Sequence, residues 1–325
     1  MKVLAGDVGG TSARFAIVGV GAGAAEVLYQ ARFQSKDFPG LGPIVRGFLT
    51  EARSKADRAC FGVACPVVNG DCHTPNLPWS INARALAGEI GIPRTAIIND
   101  LQALGHGIQW LRSGELVTLQ AGEPEAHGVV AVIAAGTGLG EAFLVWEGDR
   151  YRVHASEGGH ASYAPGSALE CGLLGFLRDA FGHVSWERVL SGPGLVSIYR
   201  YLAAIGHAPE QPDVRGEMER EDPAAAISRH ALAGTDPLCV KALDVFASAY
   251  GAQAGNLALT VMATGGVYLG GGIARRIVSK LGDGTFVTAF KEKGRLADVL
   301  ARIPIHVIVN PNVGLLGAAA VAARL

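Results

Sequence analysis

A strand, a glycine-rich turn and a returning strand occur twice in this chain, about 125 residues apart. Gly10-Thr11-Ser12-Ala13-Arg14-Phe15-Ala16-Ile17-Val18 is echoed by Gly136-Thr137-Gly138-Leu139-Gly140-Glu141-Ala142-Phe143-Leu144-Val145. Each copy follows an apolar run, Val3 to Gly6 in the first and Val129 to Ala134 in the second. Recurrence of one supersecondary unit at that distance points to a duplicated α/β core. A length of 325 residues suits two domains of roughly 150 residues each or one large domain. Glycine supplies 45 of them, about twice the usual share, and no Gly-x-y period runs through the chain. The excess therefore implies tight turns and close backbone approaches, not collagen.

Charge narrows the possible partners. Lys and Arg number 28 against 29 Asp and Glu, so no bulk basicity is present to draw in a nucleic-acid backbone. Hydrophobic residues make up 49 %, enough for a buried core and too many for a disordered chain. Cys60, Cys65, Cys72, Cys171 and Cys239 form no C-x-x-C pair and are odd in number, so neither a disulfide framework nor a zinc site is expected. Met1-Lys2 leads straight into a strand-like segment without signal-peptide layout, and the longest apolar run falls far short of the ~20 residues of a membrane span. The expectation is a soluble cytoplasmic protein.

Periodicity assigns the remaining elements coarsely. A third strand begins at Glu26 after the turn Gly21-Ala22-Gly23, and Phe38 to Ala52 reads as a helix with Leu41, Ile44, Val45, Phe48 and Leu49 on one face. Cys60 to Pro66 and Thr95 to Asn99 read as strands, with a helix from Leu101. Pro209 to Pro223, charged and Pro-containing, reads as a surface loop. A long helix from Asp236 to Val261, a strand at Val267 to Leu269, a strand at Ile303 to Val309 and a small-residue helix from Gly314 to Leu325 complete the chain.

Neither glycine turn is a familiar dinucleotide or P-loop signature. No G-K-[ST] occurs, and both Gly-x-Gly-x-Gly runs lack the G-x-G-x-x-G spacing and lead from strand to strand. Asp7-Val8-Gly9-Gly10-Thr11-Ser12 has different equipment: backbone N–H groups that can approach an anion, two hydroxyls, and a carboxylate able to hold phosphate-bound Mg²⁺ directly or through water. Gly136-Thr137-Gly138 repeats it without the carboxylate. Two such hairpins could grip a nucleotide's phosphates, or be ordinary β-turns.

Asn99 and Asp100 stand where a strand gives way to a helix, the end of a strand that lines ligand crevices in α/β sheets. Asp100 could take a proton from an attacking hydroxyl and Asn99 could bind a neighbouring one. Alternatively Asp100 is the helix N-cap; Ala103 would then occupy N3 and no capping box would form. Glu157-Gly158-Gly159-His160 flanks two glycines with an acceptor and an imidazole, which suits polyol hydroxyls better than a di-iron helix motif, or is a surface loop with two solvated polar residues. Glu187, in Ser185-Trp186-Glu187-Arg188, reads by itself as a residue on the exposed first turn of a helix. Cys65-Pro66 and Asn76-Leu77-Pro78-Trp79 read as loops able to wall a pocket.

Taken in order with Ser191-Gly192-Pro193-Gly194, Gly270-Gly271-Gly272 and Gly314-Leu315-Leu316-Gly317, these segments resemble the bacterial glucokinases of the non-ROK group, within the actin/hexokinase/heat-shock-ATPase superfamily. The resemblance covers nearly the whole chain. It implies a duplicated actin-like (ribonuclease H-like) α/β ATPase fold with an active site in an interdomain cleft. A small domain of residues 1–110, completed by 303–325, would accompany a large one of 111–302. It implies Asp100 as general base on the 6-hydroxyl of glucose, with Asn99, Glu157, His160 and Glu187 on the other hydroxyls. ATP phosphates would lie on Gly9, Gly10, Thr11, Ser12, Gly136, Thr137 and Gly138, with Mg²⁺ near Asp7 and adenosine near Gly270, Gly271 and Gly272. A homodimer is implied too. Relatives carry Asn-His-Thr-Trp where this chain has Asn76-Leu77-Pro78-Trp79, and the ROK group's Cys-rich zinc motif is missing. Phosphoryl transfer is chiefly positioning and charge neutralisation, and domain closure would exclude competing water. The rival readings are a kinase for fructose, mannose or an N-acetyl hexosamine, and a non-catalytic sugar sensor, the latter disfavoured by the lack of a helix-turn-helix or basic patch.

Overall fold

The computed structural model describes residues 1–21, 24–74 and 77–325. Ala22 and Gly23 of the expected second turn, and Asn76, lie outside the described residues. Two compact units are formed: Met1–Glu115 with Val153–Ala155 and Asn310–Leu325, and Leu116–Arg152 with Ser156–Val309.

In chain order the elements begin with β1 (Lys2–Val8), β2 (Ser12–Gly21), β3 (Ala24–Gln34), α1 (Leu41–Ala52), β4 (Arg58–Val63), β5 (Asp71–His73), β6 (Ser80–Asn82), α2 (Ala83–Ile90), β7 (Arg94–Asn99) and α3 (Asp100–Ile108). There follow β8 (Leu116–Gln120), β9 (Val130–Ala135), β10 (Leu139–Trp146), β11 (Tyr151–Ser156), α4 (Ala168–Phe181), α5 (Gly192–Ala204), α6 (Pro212–Arg220), α7 (Pro223–Ala233) and α8 (Pro237–Val261). The chain ends with β12 (Gly266–Gly270), α9 (Gly271–Arg276), α10 (Val278–Leu281), α11 (Thr285–Lys291), α12 (Ala297–Arg302), β13 (Ile305–Ile308) and α13 (Val313–Ala322).

The duplication read from the two turns is a duplication of topology. Among the described residues the first sheet has the order β3-β2-β1-β4-β7 and the second β11-β10-β9-β12-β13-β8. In each, an antiparallel hairpin (β1–β2, β9–β10) is followed by two parallel strands (β4 and β7, β12 and β13). The antiparallel edge strand β8 is extra to the second sheet.

Strand alternation gives the first sheet two different faces. Leu4, Phe15, Ile17 and Phe61 meet Ile44, Val45 and Phe48 of α1 on one side. Val3, Ala5, Ala16, Val18 and Cys60 meet Leu315, Ala318, Ala319 and Ala322 of α13 on the other. α13 also lies against α3 almost backbone to backbone. A Cβ on Gly317 would stand 1.6 Å from the Ala103 carbonyl oxygen, and one on Gly107 2.1 Å from that of Val313.

In the second unit α8 is the core helix, with Leu243, Phe246, Tyr250, Ala254 and Ala258 buried. Asp236 caps it by accepting a 2.7 Å bond from the Cys239 amide. The expected loop at Pro209 to Pro223 is corrected: Pro212–Arg220 is a helix. Proline at the first helical position favours that start, and only Val214 is buried, so no apolar stripe announced it. Its polar face is held by Arg229 of α7, which bonds Glu217 (2.6 Å) and Glu221 (2.5 Å), and by His230, whose Nε2 lies 2.7 Å from Glu217.

Gly317→Ala is expected to lower unfolding stability by about 1–3 kcal/mol, because the rigid Ala103 carbonyl leaves no room for a methyl group. Urea unfolding monitored by circular dichroism measures it. An unchanged midpoint would mean that the α3–α13 contact is looser than described.

Candidate active site

In the first unit the parallel register aligns Val8, Val63 and Asn99 at the ends of β1, β4 and β7. The Gly9–Thr11 turn and the Asn99–Asp100 step therefore emerge from the same edge of the sheet. The Gly9 amide donates to Ser12 O (3.1 Å), and Ser35 fixes the turn through Oγ to Gly9 O (2.8 Å) and its amide to Thr11 O (3.1 Å). Asp7 is ion-paired with Arg14, its cross-strand partner, and Arg14 also donates to Pro311 O (2.7 Å). Arg32 donates to Ser12 Oγ (3.0 Å). Sequence reasoning gave Arg14, Arg32 and Ser35 no role; counting outward from the hairpin turn places Arg14 opposite Asp7.

No cluster of three or more His, Cys, Asp or Glu side chains able to hold a metal occurs among the described residues. One half-buried carboxylate beside an arginine does not fit a resident cation. It fits a cation that arrives on a phosphate and keeps most of its water.

The helix cap differs from expectation. Asn99 is the N-cap of α3: its Oδ1 accepts from Leu101 N (2.9 Å) and Gln102 N (3.4 Å), and Gln102 Oε1 accepts in return from Asn99 N (3.2 Å). A full capping box is thus present, one residue earlier than the Asp100 alternative allowed. Asp100 occupies the first helical position and its Oδ1 accepts from Leu101 N (2.9 Å). The Asn99 amide donates one hydrogen to Cys65 O (3.2 Å) and has a second.

Cys65 brings a further correction. It is paired with Cys72 in a disulfide, Cα–Cα 6.2 Å, so one bridge exists where none was expected. The reversal at Val68–Asp71 brings the two cysteines together, which an odd count cannot reveal. Cys60 and Cys239 stay free and buried, and burial pushes both thiols up. Trp79, expected near a pocket wall, is 4 % exposed and donates Nε1–H to Phe38 O (3.2 Å), so it belongs to the core.

The second unit draws the other predicted residues together. Glu187 Oε2 accepts the Leu139 amide (2.9 Å), which tethers it to the Gly136–Gly138 turn. That turn is closed by Gly136 N to Gly138 O (2.8 Å) and held by Gly192 N to Gly136 O (2.9 Å). His160 lies 4.0 Å from Glu187 through Nδ1 and 3.8 Å from Glu157 through Nε2. The segment is fixed by Trp186 N to Ala161 O (3.0 Å) and Tyr163 N to Val184 O (2.9 Å). Ser191 caps α5 and donates to Glu187 O (2.7 Å), so the Ser-Gly-Pro-Gly block serves to place Glu187. Gly271, at φ +85°, brings its Cα against Ala135 O, where a Cβ would be 2.3 Å away. The β12–α9 junction at Gly270–Gly272 therefore abuts the Gly136 hairpin. Two carboxylates and an imidazole, His160 and Glu157 more than half exposed, thus sit beside the Gly136–Gly138 turn.

The glucokinase family model matches residues 4–325. The chain belongs to the glucokinase family. It is 44 % identical over 340 aligned residues to the glucokinase of Nostoc sp., covering 99 % of both chains. The crystal structure of a glucokinase from an Antarctic psychrotroph superposes with TM-score 0.84 at 33 % identity, covering 100 % of this chain and 99 % of that one. A ROK family glucokinase from Streptomyces griseus, in complex with glucose and AMPPNP, shares the fold at TM-score 0.72 and 21 % identity, covering 100 % of each. The fold is the actin-like ATPase fold of the sugar kinases, and the family is one of kinase enzymes. No described helix is long and apolar enough to cross a membrane.

Without reductant, the unfolded chain is expected to titrate three thiols, those of Cys60, Cys171 and Cys239, and five after reduction. Five thiols before reduction would remove the Cys65–Cys72 bridge.

Proposed function

We propose that this chain transfers the γ-phosphoryl group of Mg-ATP to the 6-hydroxyl of D-glucose, giving glucose 6-phosphate and ADP. The observation that carries the reading is the coupling of Glu187 to two tasks, one oxygen on the Leu139 amide of the anion-binding turn and the other 4.0 Å from His160. Glu157 and Glu187 accept from sugar hydroxyls, His160 donates or accepts according to its tautomer, and Asn99 contributes its second amide hydrogen. The backbone N–H groups of Gly9, Gly10, Gly136 and Gly138 and the hydroxyls of Thr11, Ser12 and Thr137 hold phosphate oxygens. Gly270, Gly271 and Gly272 lie along the adenosine. Mg²⁺ enters on the nucleotide, and Asp7, oriented by Arg14, holds its water shell.

Asp100 takes the 6-hydroxyl proton. The oxygen forms a bond to the γ-phosphorus as the bond to the β-phosphate oxygen breaks, and ADP leaves with that electron pair. Asn99 and Gln102 close the helix cap, and Asp100, at the first helical position, gives its Oδ1 to the Leu101 amide. The same reading carries the homodimer and cytoplasmic location that the resemblance implies, which gel filtration and cell fractionation check.

ADP release with Mg-ATP, measured against glucose, fructose, mannose, N-acetylglucosamine and a no-sugar blank, is expected to be far highest with glucose. Equal turnover with another sugar would reassign the substrate, and none with any sugar would remove the kinase reading. Asp100→Asn is expected to cut kcat by roughly 10²–10⁴-fold with glucose affinity little changed. Full activity would mean that Asp100 is not the base. Glu187→Ala is expected to raise KM for both glucose and ATP by about tenfold or more, since it removes charge-assisted hydrogen bonds on both sides. A change confined to one substrate would break the proposed coupling.

A further inference from the structure

Glu141 is a carboxyl group inside the second unit's core that the proposed chemistry does not use. It stands on β10 opposite Ile133 and is 3 % exposed. The alternation of the strand calls for an apolar side chain there, and no ion pair to Glu141 exists among the described residues. Burial pushes its pKa up, opposed by one hydrogen bond, from Gln253 Nε2 of α8 to Oε1 (2.7 Å). Asn256 Nδ2 in turn donates to Gln253 Oε1 (3.1 Å), so a polar chain runs from α8 to the sheet. A leucine or methionine would fill this volume without the desolvation cost. The carboxyl's other oxygen explains its presence. Oε2 lies against Gly158, where a Cβ would be 2.1 Å away, and Leu139 O lies as close to Gly159. The Gly158–His160 turn therefore rests on β10 at two points two residues apart, one of them the Glu141 carboxyl. With both glycines seated, Glu157 and His160 on either side project outward.

We propose that Glu141 is a positioning residue for sugar recognition: it ties Gln253 of α8 to the turn presenting Glu157 and His160, and so sets their separation. This rests on the glucose kinase reading. Deleting the carboxyl leaves the nucleotide side untouched and loosens the sugar side.

The test is steady-state kinetics of E141A, E141Q, G158A and the E141A/G158A double variant. E141A is expected to raise glucose KM by about tenfold, with ATP KM moved less than about twofold. E141Q, which keeps an acceptor toward Gln253 and nearly the same volume, is expected to restore most of that loss. G158A places a methyl against the carboxyl and is expected to raise glucose KM in the parent, but far less in the E141A background, where the space is vacated. An unmoved glucose KM in E141A, equal shifts for both substrates, no rescue by glutamine, or additive effects of E141A and G158A would each overturn the proposal. If E141A does not fold, G158A alone decides it through the same selective rise or its absence. The parent enzyme separates the two readings. Absence of glucose-dependent ADP release by the parent overturns the glucose kinase assignment, whereas full parental turnover with an unmoved glucose KM in E141A overturns only the positioning role.

Discussion

In the first unit everything of chemical interest hangs from one row of the sheet, where Val8, Val63 and Asn99 stand side by side at the ends of three parallel strands. Parallel pairing fixes that row, because a slip of one residue would turn every core side chain to the opposite face. The large apolar residues of one face and the small ones of the other make such a slip costly. The Gly9–Thr11 turn and the Asn99–Asp100 step inherit their common level from this register. α13 packs on the face of smaller residues, and its Gly317 against the Ala103 carbonyl sets how near it comes to α3.

Close approach also organises the second unit, through side-chain oxygens more than through helices. Gly138 admits the Glu187 carboxylate, Gly158 admits the Glu141 carboxyl, and Gly159 admits the Leu139 carbonyl. The high glycine content is thereby accounted for at the positions that matter. Each missing Cβ lets an oxygen reach backbone, and each contact places a polar side chain that faces outward. Glu187 is the clearest case, since its position depends on the Leu139 amide, the Ser191 hydroxyl and the strand-like pairing of residues 161–163 with 184–186.

Much of this was legible in advance. The hairpins, the strands around them, the long α8 helix and the duplication itself follow from periodicity and turn chemistry. The helix at Pro212–Arg220 was not legible, because a polar helix carries no apolar stripe and is held by ions from α7. The cap of α3 lies one residue before the Asp100 alternative, since Asn99 and Asp100 are both good cap residues and only the strand's end selects between them. Arg14 and Glu141 were passed over for a shared reason. Their partners, Asp7 across a hairpin and Gln253 on α8, are defined by three-dimensional neighbours that a linear motif does not display.

The sequence by itself determined the family, the two glycine-rich turns, the strand and helix periods and the residue types able to handle phosphate and hydroxyl groups. These are local properties, written in spacing and in the conformational freedom of glycine. Tertiary structure alone decided that Glu157, His160 and Glu187 stand together, that Asn99 and not Asp100 caps α3, that Cys65 meets Cys72, and that the Glu141 carboxyl group lies buried beneath Gly158. Each of these depends on which backbone reaches which neighbour after the sheets have formed, and packing distances of that kind are fixed by the whole core at once.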